Sequence, residues 1–298
     1  MTPSPPVDDA DVPRYWRELG LPGLVDVHVH FLPPRVQAKV WAFFEAAESH
    51  YGSAWPIHYA LPDDEARLAI LERLGVRAFP TLPYPHKPGM AAWLNDWSHA
   101  FATAHPQVLR SATFFPEPEA PHYVAEALDR GARVFKVHVQ VGAFDPRHPL
   151  LDPVWARLAE TGTPVVIHCG SGPLAGEHTG PEPMAGLLER HPRLQLVVAH
   201  LGMPEYREFL DLAERYERVH LDTTMFATDF TERLMPFDHS QRNRLRELEH
   251  KVLLGSDFPT IPYPYADQLA ALHRLDLGEE WLRAVLWHNG ARLFTIEP

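Results

Sequence analysis

From Leu24 onward, short β-branched and apolar runs alternate with longer stretches whose apolar positions recur at helical spacing. The runs predict strands over Leu24–His30, Gly75–Thr81, Leu109–Phe115, Ala132–Val141, Pro164–Cys169, Gln195–His200, Arg218–Thr223 and Lys251–Asp257. Helices are expected over Gly89–Ala104, Pro121–Arg130, Pro153–Thr161, Pro181–Arg190, Pro204–Glu217, Arg242–His250 and Tyr265–Arg274, many of them closed by Gly or by His-Pro, with a last one over Glu279–Trp287. Strict strand-then-helix alternation predicts a parallel sheet, and eight such units predict an α/β fold of the (β/α)8 TIM-like barrel class. A doubly wound open sheet would need a Gly-rich phosphate turn after the first strand, and the chain has none. Pro34–Ser49 reads as an inserted helix between the first strand and the helix Asp63–Leu74. Residues 1–20, rich in Pro and Asp, are read as an arm without apolar period, either mobile or wrapped over the surface. Residues 21–298 are read as one barrel domain.

Side-chain parity then places the chemistry. In Val25-Asp26-Val27-His28-Val29-His30, alternation puts Asp26, His28 and His30 on one face and the valines on the other. Two imidazoles at i and i+2 at a strand's C-terminal end can converge on one metal ion. Further apolar strands end the same way: Val165-Val166-Ile167 on His168, Val197-Val198-Ala199 on His200, and Leu253-Leu254-Gly255-Ser256 on Asp257. Barrel active sites lie at that rim. The fourth strand sets Lys136, His138 and Gln140 on one face, and three polar groups inside a barrel need partners. Arg35 is a candidate anchor for a substrate carboxylate. Tyr84, His86 and Lys87 follow the second strand and His178 lies in the loop after His168, all placed to line the barrel mouth. Trp41, Phe43 and Phe44 on the inserted helix suit core packing, a lid or a dimer surface, and a homodimer stays open. Cys169 faces outward by parity as inert packing.

Composition narrows the classes. The formal charge of −12 argues against a nucleic-acid partner, which would need a basic face. No apolar run reaches the roughly 20 residues of a membrane helix. The single cysteine, Cys169, excludes an intrachain disulfide and a Cys-based zinc site. The first residues carry neither a basic nor an apolar leader region, so a cytoplasmic protein is expected.

These motifs, together with Val198-Ala199-His200-Leu201-Gly202, Gly255-Ser256-Asp257-Phe258-Pro259 and Asn289-Gly290-Ala291-Arg292-Leu293-Phe294, resemble the amidohydrolase superfamily. Within it, they are similar to the amidohydrolase-2 branch that holds 2-amino-3-carboxymuconate-6-semialdehyde decarboxylase and 2-pyrone-4,6-dicarboxylate lactonase. The resemblance implies one divalent metal, zinc with manganese as the alternative, held by His28, His30, His168 and Asp257. It implies catalytic roles for Asp257 and for His200, the latter beside the metal rather than on it. Asp222, with the lumen parity of His220 and Thr224, is expected to orient a ligand histidine. In binuclear members of the superfamily a carboxylated lysine bridges two metals; here Lys136 is read either in that way or as an ordinary lumen lysine, paired with Asp26 or a substrate acid.

Two activities follow. A hydrolase would direct metal-activated water onto the carbonyl of a lactone, ester or amide of a small organic acid. A nonoxidative decarboxylase would use the same residues on a muconate-semialdehyde-like acid. Some hydroxyarene decarboxylases of the branch carry Glu where His28 stands, which weighs against that variant. A noncatalytic metal-binding protein would require loss of a ligand or of His200, and all are present.

Overall fold

The computed structural model describes residues 3–61 and 63–297. Among them lie nine strands: β1 (Leu24–Val25), β2 (Val76–Pro80), β3 (Val108–Leu109), β4 (Ser111–Thr113), β5 (Val134–His138), β6 (Val165–His168), β7 (Leu196–Val198), β8 (Val219–Asp222) and β9 (Val252–Leu253). The third expected strand is therefore two, broken at exposed Arg110. The chain gathers into two compact units, one from residues 1–79 with 223–298 and the other from residues 80–222.

In the unit of residues 80–222, β4 to β8 lie side by side in chain order, and the pairs from β4 through β8 are parallel. Runs such as Val165-Val166-Ile167 and Leu196-Val197-Val198 are buried throughout, as a sheet covered on both faces requires. The covering helices are Ala91–Ala104, Ala120–Asp129, Asp152–Thr161, Pro181–Arg190 and Tyr206–Arg215. The last of these turns Tyr206, Phe209, Leu210, Leu212 and Ala213 inward. The register pairs His138 with His168 directly, so two neighbouring parallel strands end on histidines at the same level. β5 stops there. Val139–Gly142 turns into a short helix that His138 itself caps, so Gln140 leaves the strand and the expected polar face ends at His138.

In the unit of residues 1–79 and 223–298, β1 pairs with β2, and the register slips between Leu24 and Val25. The chain then bends at Val27, which ends the regular strand five residues before the expected limit. Beyond the bend it continues along the segment after β9: Val27 N–H donates to Leu254 O, Asp257 N–H to His28 O and His30 N–H to Phe258 O, each at 2.8 Å. This ladder carries both histidines alongside Asp257.

Within the arm, residues 3–20 form a packed wrap on this unit. Val12, Tyr15, Trp16 and Leu19 stand at i, i+3, i+4 and i+7, an apolar period that the Pro and Asp content conceals, and all four are buried on and just beyond the helix Val12–Glu18. Trp16 Nε1 donates to Leu74 O at 3.0 Å, and Arg283 Nε donates to Leu19 O at 2.7 Å. The inserted segment forms two helices, Pro34–Glu45 and Ala47–Tyr51. Gln37 alone is buried on the first; Phe43 is exposed and Trp41 and Phe44 are half-buried, so these aromatics are not core packing. Instead Phe44 and Phe230 meet Trp55 with ring centroids 4.9 Å apart in each pair.

Candidate metal centre

The ladder between the first strand and the segment after β9 has a chemical consequence. His28 Nε2 lies 3.7 Å and His30 Nε2 3.1 Å from Asp257 Oδ1, and the two imidazole rings stand 5.1 Å apart, edge to face. His28 and His30 are buried, and Asp257 is partly so. Among the described residues this trio is the group whose nitrogen and carboxylate atoms all converge within 4.8 Å. Ligands bonded to one zinc ion at about 2.0–2.1 Å stand roughly 3–3.5 Å from one another, so the donor set and its spacing fit a divalent ion. Asp257 takes a left-handed backbone, φ 72°, which is uncommon outside glycine and tolerated most readily by Asp and Asn.

Asp26 does not join the donors. Its Oδ1 accepts the N–H groups of His28 (3.0 Å) and Ser256 (3.1 Å), and its Oδ2 accepts the hydroxyls of Ser256 (2.5 Å) and Tyr265 (2.9 Å). The bend at Val27 breaks the strand alternation that put it on the ligand face. Arg35 stands exposed on the first turn of the Pro34–Glu45 helix.

The other unit holds a row of rings. His138 stacks on His168 with centroids 3.9 Å apart and planes 12° from parallel, which their register dictates. His168 meets His200 edge-on at 4.8 Å, and Tyr84 packs on the far side of His138 at 5.3 Å. His168 Nε2 lies 3.0 Å from the carbonyl of Gly172, which can only accept. Nε2 therefore carries a proton. His138 Nδ1 accepts Val141 N–H at 3.3 Å, which assigns its ring proton to Nε2.

His200 is not the last residue of a strand. β7 ends at Val198, and His200, Leu201 and Gly202 all adopt left-handed backbone, with φ of 57°, 50° and 74°. Gly202 makes the turn feasible, because a Cβ there would meet the Phe209 ring at 2.0 Å. Asp222 holds the turn by accepting His200 N–H at 2.9 Å. Lys136 is fully buried on β5. His86 and Lys87 are exposed; His178 is half-buried, close enough to Asp145 to favour its charged form, to which Arg147 contributes most. Cys169 is wholly buried, and burial pushes its thiol well above the ordinary range, in keeping with inert packing.

The fold and site thus present parallel α/β units, histidines at the ends of neighbouring strands, and a His-His-Asp group that could hold a metal ion. The chain belongs to the amidohydrolase family, whose model matches residues 25–296. No curated protein matches it. Among solved structures, an uncharacterized TIM-barrel protein from Bordetella bronchiseptica superposes with a TM-score of 0.72 at 20% identity, covering 92% of this chain and 99% of that one. A probable 2-pyrone-4,6-dicarboxylic acid hydrolase from Acinetobacter baumannii, with citric acid bound, gives 0.63 at 14% identity over 92% and 99%. A 4-oxalomesaconate hydratase from Rhodopseudomonas palustris gives 0.56 at 15% over 92% and 96%. At these identities the likeness shows the fold, a TIM-like barrel, as the alternation of elements implied. No helix among the described residues is long and apolar enough to cross a membrane.

Tyr265, Ser256, Tyr59 and the Gly172 carbonyl had no signal of their own in the sequence. Ser256 could have been suspected from its place beside Asp257; the others are brought in by folding alone.

Proposed function

We propose that the chain is a metal-dependent hydrolase that opens the carbonyl–oxygen or carbonyl–nitrogen bond of a small organic acid, a lactone of a dicarboxylic acid being the substrate class to try first. The observation that carries this is the convergence of His28 Nε2 and His30 Nε2 on Asp257 Oδ1. His168 is proposed as the further ligand. Support comes from its ring, whose Nε2 is committed to a backbone carbonyl, the outer bond that metal-ligating histidines regularly make. When bound, a divalent ion would lower the pKa of water and polarise a carbonyl.

The chain's own residues would do the rest. Asp257, with Oδ1 among the donors, would take a proton from the attacking water on its carboxylate. That water adds to the carbonyl carbon, the carbon–oxygen or carbon–nitrogen bond breaks, and Asp257 returns the proton to the leaving atom. His200, fixed by Asp222 through its backbone, would hydrogen-bond the substrate oxygen as negative charge develops there. The probable pyrone-dicarboxylic acid hydrolase of the same fold makes dicarboxylate lactones a sensible first panel.

The test is to load the protein with zinc or manganese and screen aryl and dicarboxylate lactones while recording carbon dioxide. Lactone turnover without carbon dioxide supports the hydrolase. Carbon dioxide release from a muconate-semialdehyde-like acid, with every lactone inert, would overturn it in favour of a decarboxylase.

A further inference from the structure

One run of hydrogen bonds, part-buried at Asp9 and buried beyond it, leads from the N-terminal segment to the backbone of the candidate ligands. Asp9 accepts the Tyr59 hydroxyl on Oδ2 and Ala266 N–H on Oδ1, the latter at 3.0 Å. Tyr59 Oη in turn accepts Tyr265 N–H at 2.7 Å. The Tyr265 hydroxyl donates to Asp26 Oδ2 at 2.9 Å. Asp26 then grips the N–H of His28 and both the N–H and hydroxyl of Ser256, whose Oγ accepts Phe258 N–H at 3.0 Å. Asp257 is thus bracketed on both sides, and its own N–H donates to His28 O. Asp26, Ser256 and Tyr265 have no exposed surface, and Tyr59 is 4% exposed. Burial raises both phenols well above their ordinary range, so each stays protonated and able to donate.

A buried carboxylate with four donors is a rigid group, and these donors belong to the residues that set the spacing of His28 and Asp257. Resting on the metal-centre reading above, we propose that Asp26 and Tyr265 are positioning residues for the metal, and that Asp9 makes the N-terminal segment part of that support. The metal's affinity and coordination geometry therefore depend on residues that never touch it.

Cobalt(II) tests this, because its visible d–d absorption reports coordination geometry without turnover. The wild type, Tyr265→Phe, Asp9→Ala, Asp9→Asn and Tyr15→Phe are compared for cobalt dissociation constant, by chelator competition, and for d–d spectrum. Tyr265→Phe should weaken cobalt by about 10-fold or more and alter the spectrum, the range found for outer partners of metal ligands. Asp9→Ala should shift both in the same direction by less, and Asp9→Asn, which keeps an acceptor, should recover most of the loss. Tyr15→Phe, which removes a bond of the same segment to His273, should leave both unchanged. Wild-type affinity and spectrum in Tyr265→Phe and Asp9→Ala would overturn the proposal, whatever their melting temperatures. If Tyr265→Phe does not fold, Asp9→Ala with its Asn rescue decides. A wild type that takes up no cobalt would instead overturn the metal centre itself, and this inference with it.

Discussion

Asp222 Oδ1 accepts the backbone N–H of His200 at 2.9 Å and so holds a buried histidine in left-handed backbone, φ 57°. The bond joins the end of β8 to the turn after β7, two neighbouring parallel strands. Asp222→Ala should strip that N–H of its partner and destabilise the protein by about 1–3 kcal/mol. With His200 released, kcat should fall roughly 10–100-fold with little change in metal content. Asp222→Asn keeps an acceptor and should restore much of both. Urea unfolding and metal analysis on the same preparations provide the check.

His200→Ala removes the proposed substrate partner while leaving the His28–His30–Asp257 group intact. Activity should drop by about 10²–10⁴-fold, the usual contribution of a positioned acid–base group. Bound metal, measured by elemental analysis, should stay at the wild-type level. A parallel loss of metal would make His200 a ligand instead.

Chelation should abolish activity, and zinc or manganese should restore it. At a free metal concentration 100 times the dissociation constant, binding to the folded state alone stabilises by about 2.7 kcal/mol. A rise in melting temperature with metal is therefore expected in the wild type. His30→Ala and Asp257→Ala should lose most of that rise. Differential scanning calorimetry with and without metal measures it.

The arm carries a pH signature. Tyr15 Oη lies 3.0 Å from His273 Nδ1, and burial lowers the His273 pKa below its ordinary 6.5. The unfolded chain then binds the proton more tightly than the folded one, so stability rises with pH across the interval between the two values. The contribution should be fully present above the ordinary imidazole value and be lost as pH falls through the lower folded one. His273→Gln should flatten that part of the stability–pH curve in equilibrium unfolding.

The elements that sequence reading located best are those in which each local signal agrees. Val165-Val166-Ile167-His168 is β-branched, buried and bounded by Pro164 and Gly170, and its strand is found almost to the residue. Pro181–Arg190 has Pro at its start, an acid in its first turn and Arg190 in its last, and its limits are as expected. The failures occur where tertiary contacts outweigh local pattern. Strict alternation carried Asp26 onto the ligand face, but Ser256 and Tyr265 draw its carboxylate elsewhere at a bend no propensity announces. Alternation sets Gln140 on a strand that His138 instead terminates by capping a helix turn. The apolar run predicts His200 at a strand end, whereas three left-handed residues, made possible by Gly202, carry it beyond β7. The structure brings together His28, His30 and Asp257, which the sequence motifs single out, while the bonds that hold them are long-range and leave no trace in spacing. Tyr265 lies 239 positions from the Asp26 that it supports.

The most direct test of the central claim is a crystal structure of the zinc-loaded protein with anomalous data recorded at the zinc edge. One anomalous peak is expected, bonded to His28 Nε2, His30 Nε2 and Asp257, with His168 completing the set. A peak bonded to none of these three, or a second ion held by Lys136, would contradict it.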